Sequence, residues 1–283
     1  MLSRREMVIA SVALPFAARV APSDSFAALE AQHGGRLGVA AIDTGSGRRL
    51  AHRIDERFAM CSTFKLLAAA AVLRKVDLGT ESLTRLIPYG QADLLSYAPV
   101  TRAHVGEGHM TVGALCEAAA EWSDNTAANL LLASLGGPAA VTRFARELGD
   151  SVTRLDRNEP SLNDIKPGDI RDTTSPAAML ADMQAVLLGD ALSKASCARL
   201  ADWLQKSRTG QARLKAGLPA SWEVGNKTGS GFRGETNDIA VAWPPGRAPI
   251  LIASYYKGST APDAARDAVL AEVGRIVASA FAG

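Results

Sequence analysis

Several motifs are missing from this 283-residue chain, and each absence excludes a class of protein. The three cysteines, Cys61, Cys116 and Cys197, are far apart and form no metal-binding clip. The four histidines form no HExxH or HxH pattern, which argues against a zinc hydrolase. No GxSxG sequence occurs, so the nucleophile turn of an ordinary serine esterase is absent.

Charge of one sign and long apolar runs are also scarce. Lysine and arginine number 31 against 29 acidic residues, which gives a formal net charge of +2. This balance argues against nucleic acid or an anionic membrane as a partner. No run of about 18 apolar residues is present, so a membrane-spanning signalling segment is not expected. The length suits one large domain or two intimate ones.

The N-terminus has the order of a cleaved export signal. A short basic stretch is followed by the apolar segment Met7 to Ala18 and then by small and polar residues. We therefore assign residues 1–23, approximately, to a signal peptide and expect a periplasmic or secreted protein without stable membrane association after cleavage. Arg4 and Arg5 are compatible with a twin-arginine signal. The alternative is a loosely amphipathic N-terminal helix.

The remaining chain separates its strands from its helices. Most of the stretch from Ser62 to Lys206 has helical periodicity, interrupted by a polar loop at 150–175. The pattern predicts an α+β fold, with a five-stranded antiparallel sheet flanked by helices and an inserted all-helical domain. The sheet domain is assigned to 24–60 plus 207–283, and the helical domain to 61–206. The predicted strands are 37–42, 49–54, 222–227, 239–243 and 250–256.

Ser62 lies three residues before Lys65, at the start of an apolar helical run. Residues at this spacing share one helix face, so the lysine amine can approach the serine oxygen. A serine nucleophile needs a base, and a buried lysine with a depressed pKa can supply it. The alternative is a capping serine followed by a solvated lysine, because SxxK is a common sequence.

Two further short motifs follow in the chain. Ser123-Asp124-Asn125 lies between two helices, where its residues could cap a helix, or relay a proton through Ser123 and bind a carbonyl through Asn125. Lys227-Thr228-Gly229-Ser230-Gly231 ends a strand, and its glycines leave room for a ligand beside it. The alternative for this second motif is a polar turn.

SxxK, SDN and KTG in this order are a known signature, and the chain resembles a class A serine β-lactamase of the β-lactamase and penicillin-binding protein superfamily. The similarity covers everything after the signal. It implies hydrolysis of the β-lactam amide of penicillins and cephalosporins through an acyl-serine intermediate, and hence antibiotic resistance. It also implies a monomer that needs no metal and no organic cofactor.

The loop at 157–172 resembles the omega loop of that family. Glu159 and Asn163 stand in its ExxLN motif, which implies that they activate and hold the deacylating water. Arg157 and Asp172 would form the ion pair at the neck of the loop. The resemblance further implies catalytic roles for Ser62, Lys65 and Ser123, with an oxyanion hole formed by the backbone N–H groups of Ser62 and Ser230.

The other expected site residues bind the substrate. Tyr97 would form a wall of the cleft, although packing under a loop is nearly as consistent with its position. Arg213 would help Lys227 bind the substrate carboxylate, because a guanidinium matches a carboxylate better than a lone ammonium does. The full substrate-binding set is Tyr97, Asn125, Arg213, Lys227, Thr228 and Ser230.

The chain departs from parts of the family at its cysteines. The usual disulfide partner of Cys116 is replaced by Ala69, and Gly231 stands where several carbapenem-hydrolysing members have a cysteine paired with one at the Cys61 position. Neither bridge can form, which weakens a carbapenemase assignment. Cys61 together with Ser230 resembles members that accept oxyimino-cephalosporins.

Two alternative functions stay open at this point. A D-Ala-D-Ala peptidase or transpeptidase would explain three of the motifs but would leave the ExxLN loop unused. A β-lactam-binding sensor that stays acylated would require a membrane-spanning segment, for which the sequence has no candidate.

Overall fold

The computed structural model describes residues 22–282. The export signal predicted for residues 1–23 therefore lies outside the described residues, except for its last two positions, which begin the first helix. No helix within 22–282 is both long enough and apolar enough to span a membrane.

The protein has the predicted α+β architecture, built around one five-stranded antiparallel sheet. The strand order in the sheet is second, first, ninth, eighth, seventh, so the N-terminal hairpin pairs with the three C-terminal strands. Two small two-stranded sheets lie outside it. The strands are β1 Arg36–Asp43, β2 Arg49–His52, β3 Phe58–Ala59, β4 Leu86–Pro88, β5 His109–Thr111, β6 Thr173–Thr174, β7 Glu223–Ser230, β8 Thr236–Trp243 and β9 Ile250–Lys257.

The described part of the chain contains ten α-helices. Short 3₁₀ turns precede or join several of them, including Cys61–Thr63 and Ser161–Asn163. The helices are α1 Pro22–His33, α2 Phe64–Asp77, α3 Pro99–His104, α4 Val112–Glu121, α5 Asn125–Leu135, α6 Ala139–Glu147, α7 Pro176–Leu187, α8 Lys194–Gln205, α9 Leu214–Gly217 and α10 Asp263–Phe281.

The main sheet is covered on both faces, so its central strands are apolar at successive positions. Alternate residues of a strand point to opposite faces. In β9, Ile250 and Ile252 pack with α1 and α10 in one core, whereas Leu251 and Ala253 pack with the helical region in the other. The sheet therefore separates two hydrophobic cores, and the candidate site lies at its β7 edge.

Helix α2 is apolar on every side and runs through the larger core. All residues from Phe64 to Leu73 are buried, including Lys65. A helix that is apolar all round is expected only where other elements cover it completely, and α2 packs against α4, α5, α6 and α8. The 3₁₀ turn Cys61–Thr63, which precedes α2, packs against β7, and this contact fixes the position of Ser62.

Several details differ from the sequence-based expectation, including β7, which continues to Ser230, and β8, which begins at Thr236. The second strand ends at His52 instead of Ile54, because Arg53 has a left-handed backbone with φ of 47° and cannot continue it. The region predicted as all-helical also contains β4, β5 and β6, which are two or three residues long and too short for a period-two pattern. The division into 24–60 plus 207–283 and 61–206 stays a prediction.

A buried carboxyl pair joins α7 to the segment that leads into the omega loop. Asp182 on α7 is 1% exposed, and its Oδ2 atom has no hydrogen-bond partner among the described residues. Asp150 Oδ1 accepts hydrogen bonds from the backbone N–H groups of Val152, at 2.6 Å, and Thr153, at 3.0 Å. Burial first, and then the charge of Asp150, raise the pKa of Asp182 to about 9.

We expect Asp182→Asn to stabilise the protein at pH 8 but not at pH 4. The raised pKa means that the folded protein favours the protonated form of Asp182. The stability that this protonated carboxyl contributes is complete below the pKa of aspartate in the unfolded chain, and it is lost as the pH rises towards 9. Asparagine does not ionise, so we expect the free energy of unfolding at pH 8 to be higher in the variant than in the wild type by on the order of 2 kcal/mol. Urea unfolding at both pH values measures this difference. An equal change at pH 4 and pH 8 would show that the carboxyl of Asp182 does not have a raised pKa in the folded protein.

Candidate active site

Ser62 and Lys65 are in direct contact, as their spacing predicts. Ser62 lies in the 3₁₀ turn Cys61–Thr63 and Lys65 in the first turn of α2. Lys65 Nζ donates a hydrogen bond of 2.9 Å to Ser62 Oγ. The pair can therefore exchange a proton without any movement of the backbone.

Lys65 is buried and surrounded by oxygen acceptors from two other segments, the Ser123–Asn125 loop and the omega loop. Its Nζ lies 2.8 Å from the Ser123 carbonyl oxygen, 2.6 Å from Asn125 Oδ1 and 3.1 Å from Glu159 Oε1. Burial lowers the pKa of Lys65, and the charge of Glu159 partly opposes this shift. A lysine with a lowered pKa can act as a base or a proton relay near neutral pH.

The loop Ser123–Asn125 is held rigidly by Asp124. The Asp124 carboxylate accepts hydrogen bonds from Ala127 N, which caps α5, and from Thr101 N and Oγ1 on α3. The capping interpretation of this motif is thus confirmed for Asp124. The same anchor fixes Ser123 in a left-handed backbone conformation with φ of 59°.

Ser123 Oγ lies between two lysines. It accepts a hydrogen bond of 2.9 Å from Lys227 Nζ and lies 3.3 Å from Lys65 Nζ. Lys227 is fully buried, and both burial and the nearby charge of Lys65 lower its pKa. The hydroxyl of Ser123 therefore connects the two amines.

Gly229 allows strand β7 to pack closely against the turn that carries Ser62. A Cβ atom at Gly229 would lie 2.7 Å from the Met60 carbonyl oxygen and 3.1 Å from Cys61 Cβ. Any other residue would push β7 away from the turn that carries Ser62. This close packing brings the KTG motif and the SxxK motif to one site.

Arg213 is fixed at the exposed end of β7. Its guanidinium donates to Ser230 Oγ at 2.8 Å, to the Gly229 and Asn237 carbonyl oxygens, and to Asp267 Oδ1 at 2.7 Å. These contacts use all three guanidinium nitrogens and leave the charge beside Ser230. Thr228 Oγ1 donates to Thr209 Oγ1 at 2.8 Å.

Glu159 approaches Ser62 from the omega loop. Ser62 Oγ lies 3.0 Å from Glu159 Oε1, and Asn163 Nδ2 donates to Glu159 Oε2 at 2.7 Å. The Glu159 backbone is held by the Asn129 side chain through two hydrogen bonds of 2.9 Å. The carboxylate is thus fixed beside the serine oxygen, with both of its oxygens hydrogen-bonded.

The neck of the omega loop is closed by the expected ion pair. Asp172 is fully buried, and its Oδ2 lies 2.6 Å from Arg157 Nε. Its Oδ1 accepts the backbone N–H groups of Asp156 and Arg157 at 2.7 and 2.9 Å. One carboxylate therefore links both ends of the loop that positions Glu159.

We expect Asp172→Ala to destabilise the protein by on the order of 3 kcal/mol, because it leaves a partly buried guanidinium and two backbone donors unpaired. Urea unfolding measures this loss. Asp169→Ala is the matched control, since Asp169 pairs with exposed Arg171 in the same loop. Equal unfolding midpoints for the two variants would refute the role of the neck.

The predicted residues surround a cleft of about 410 Å³. Nine of the eleven predicted site side chains line it, and Lys65 and Lys227 are buried beneath its floor. Tyr97 is 49% exposed, and its hydroxyl donates to the Trp122 carbonyl oxygen at 3.1 Å. This exposed position favours a cleft wall over packing under a loop.

Five lining residues were not predicted as site residues, namely Ser96, Pro160, Thr209, Gly210 and Phe232. Phe232 is 71% exposed and stands directly after the KTGSG sequence. A large aromatic residue in a glycine-rich turn is the signal that could have identified it. Ser96 and Thr209 have no such signal, because isolated hydroxyl residues are common in loops.

The cysteines and acidic residues of the described part of the chain form neither a disulfide nor a metal site. Cys61, Cys116 and Cys197 are free thiols. Within residues 22–282 no group of three or more histidine, cysteine, aspartate or glutamate side chains is placed to hold a metal ion.

The family comparison agrees with this geometry. Residues 21–281 match the model of the "Beta-lactamase enzyme family". The chain is 49% identical over 255 residues to β-lactamase CTX-M-8 of Citrobacter amalonaticus, covering 90% of this chain and 87% of that protein. It is 49% identical over 298 residues to β-lactamase L2 of Stenotrophomonas maltophilia, covering 98% of each.

A solved structure has the same fold. The class A β-lactamase reconstructed for the last common ancestor of Gram-negative bacteria superposes with a TM-score of 0.90 at 62% identity, covering 93% of this chain and all of that one. The fold and the site define a serine hydrolase of the α+β type. The chain belongs to the class A β-lactamase family.

Proposed function

We propose that the protein hydrolyses the β-lactam amide of penicillins and cephalosporins through an acyl enzyme on Ser62, and so confers resistance to these antibiotics. The observation that carries this proposal is the position of Ser62 Oγ. It lies 2.9 Å from Lys65 Nζ and 3.0 Å from Glu159 Oε1, so one serine has a partner for acylation and a carboxylate for deacylation.

In the acylation step, Ser62 Oγ attacks the β-lactam carbonyl and transfers its proton to Lys65 or Glu159, both within reach. Backbone N–H groups of Ser62 and Ser230 stabilise the oxyanion. The position of Ser230 supports this role, because β7 is an edge strand in which alternate N–H groups point away from β8.

The ring nitrogen leaves with a proton from Ser123. The short contacts of Ser123 Oγ with Lys65 and Lys227 support this route, because either amine can replace the proton that the hydroxyl gives up. Two neighbouring amines with lowered pKa values also make the transfer less costly.

Glu159 and Asn163 then act on the acyl ester. Glu159 takes a proton from a water molecule, and the hydroxide attacks the ester carbonyl to release Ser62. Asn163 orients this water together with Glu159. The 2.7 Å contact between the two side chains supports a shared role.

Substrate-binding residues lie at both ends of the cleft. Lys227, Thr228, Ser230 and Arg213 provide positive charge and hydroxyl groups at one end for the substrate carboxylate. At the other end, Asn125 binds a side-chain amide of the substrate while its Oδ1 contacts Lys65. Tyr97 forms the wall beside it.

We further propose that the protein is exported. Arg4 and Arg5 support the twin-arginine pathway as the route. We also propose that the mature enzyme works as a monomer, because its complete site is built from one chain. Size-exclusion chromatography with light scattering tests this proposal, and a dimer at micromolar concentration would contradict it.

The peptidase alternative is tested by comparing two substrates. We expect rapid ring opening of benzylpenicillin and no release of D-alanine from a peptide that ends in D-Ala-D-Ala. The physical reason is the ExxLN loop, which places a carboxylate at the acyl serine. Peptidase turnover faster than penicillin hydrolysis would overturn the proposed function.

A further inference from the structure

A second cavity lies behind the omega loop and shares no lining residue with the active-site cleft. It has a volume of about 600 Å³, within the range of small-molecule sites. One wall is formed by Arg36 at the start of β1 and Lys257 at the end of β9. The opposite wall is the omega-loop segment 165–169.

The lining of this cavity has an excess of positive charge. Five cationic residues face two acidic ones, Asp169 and Glu235. Asp169 is already paired with Arg171, and Glu235 Oε2 accepts the backbone N–H of Arg233 at 2.9 Å. The cations are Arg36, Arg57, Lys166, Arg233 and Lys257.

Most of these cations lack an acidic partner of their own. Arg57 donates only to neutral oxygens, the Val152 carbonyl at 2.8 Å and Thr173 Oγ1 at 3.0 Å. Lys257 Nζ lies 5.4 Å from the centre of the Phe58 ring and has no hydrogen-bond partner within residues 22–282.

Two of the cations are exceptions, because Arg233 lies 3.5 Å from Asp164 Oδ1 and Arg36 forms an ion pair with Glu56. The Arg36 guanidinium also lies over the Phe58 ring, 5.3 Å from the ring centre, so Arg36 and Lys257 share one aromatic side chain. Burial and the neighbouring charge of Arg36 lower the pKa of Lys257. Such crowding of positive charge costs free energy unless an anion compensates it.

We propose that this cavity binds a small oxyanion with at least two negative charges, held by Lys257, Arg36 and Arg57 on the sheet side and Lys166 on the loop side. Guanidinium groups match phosphate and carboxylate oxygens with paired hydrogen bonds. A ligand in this position bridges the sheet and the segment 165–169, and so stabilises the loop that carries Glu159. This binding does not depend on the proposed function.

Isothermal titration with inorganic phosphate, at an ionic strength held constant with sodium chloride, tests the proposal. We expect saturable binding of one phosphate per chain, weakened at least tenfold in Lys257→Met. Lys257→Arg keeps the charge and should restore binding, which separates loss of charge from misfolding. Lys194→Met is the matched control, because Lys194 is exposed on α8 and lies in neither site.

Citrate in a parallel titration distinguishes a carboxylate-type from a phosphate-type ligand. Saturable binding of either anion that depends on Lys257 supports the proposal, and binding of neither overturns it. Hydrogen exchange gives the location, since phosphate should slow exchange in segment 165–169 of the wild type and not of Lys257→Met. Protection confined to β7, or binding that is lost in Arg213→Ala and kept in Lys257→Met, assigns the anion to the active site and overturns the proposal.

Discussion

Glu159→Ala should convert the enzyme into one that accumulates its acyl intermediate. The variant keeps Ser62, Lys65 and the lysine-linked Ser123, so ring opening of the first equivalent proceeds. Deacylation loses the base that lies 3.0 Å from the serine oxygen. We expect kcat for benzylpenicillin to fall by about 10³-fold, or about 4 kcal/mol, and intact mass to show a lasting adduct on Ser62.

Glu147→Ala is the control for this variant, because Glu147 is an exposed glutamate at the end of α6. It should turn over benzylpenicillin at the wild-type rate without a persistent adduct. If Glu159→Ala also turned over at the wild-type rate, the carboxylate would not be the deacylation base, and the omega loop would need another explanation.

Lys65→Met should prevent the acyl intermediate from forming, whereas Glu159→Ala should make it accumulate. Methionine fills the same volume but removes the amine that contacts Ser62, Ser123, Asn125 and Glu159. Acylation then loses a proton partner, and we expect its rate to fall by about 10²–10⁴-fold. Stopped-flow ring opening measures this rate, and intact mass should show little adduct.

Lys194→Met again provides the matched control, since the exposed lysine has no role in the site. The pair Lys65→Met and Glu159→Ala is more informative than either variant alone, because one should prevent the adduct and the other should preserve it. A lasting adduct in both variants would show that Lys65 is not required for acylation.

The fold was predictable where long elements have clear boundaries. The apolar periodicity predicts helices over 125–135 and 263–281, and α5 and α10 begin and end at these residues. Asp124 caps the start of α5, and Gly136 follows its last residue with φ of 93°, so both ends carry a sequence signal. The short strands β3 to β6 carry no such signal, because their pairing depends on the tertiary fold.

The site was predictable to the extent that its motifs are local. Ser62 with Lys65 could be inferred from helical spacing alone. The contact of Lys227 with Ser123 joins residues 104 apart in the chain, so no local spacing predicts it. Thr209 reaches the cleft because of the path of the chain around β7, which no local pattern encodes. The chemical roles of the site residues stay predictions until variants are measured.

Multiple-turnover kinetics with intact-mass detection tests the central claim most directly. The purified mature protein is mixed with an excess of a chromogenic cephalosporin, and ring opening and protein mass are followed together. We predict many turnovers per enzyme, with only a transient mass increase on Ser62. One equivalent of ring opening with a lasting adduct would contradict this account and would favour a protein that binds β-lactams and stays acylated.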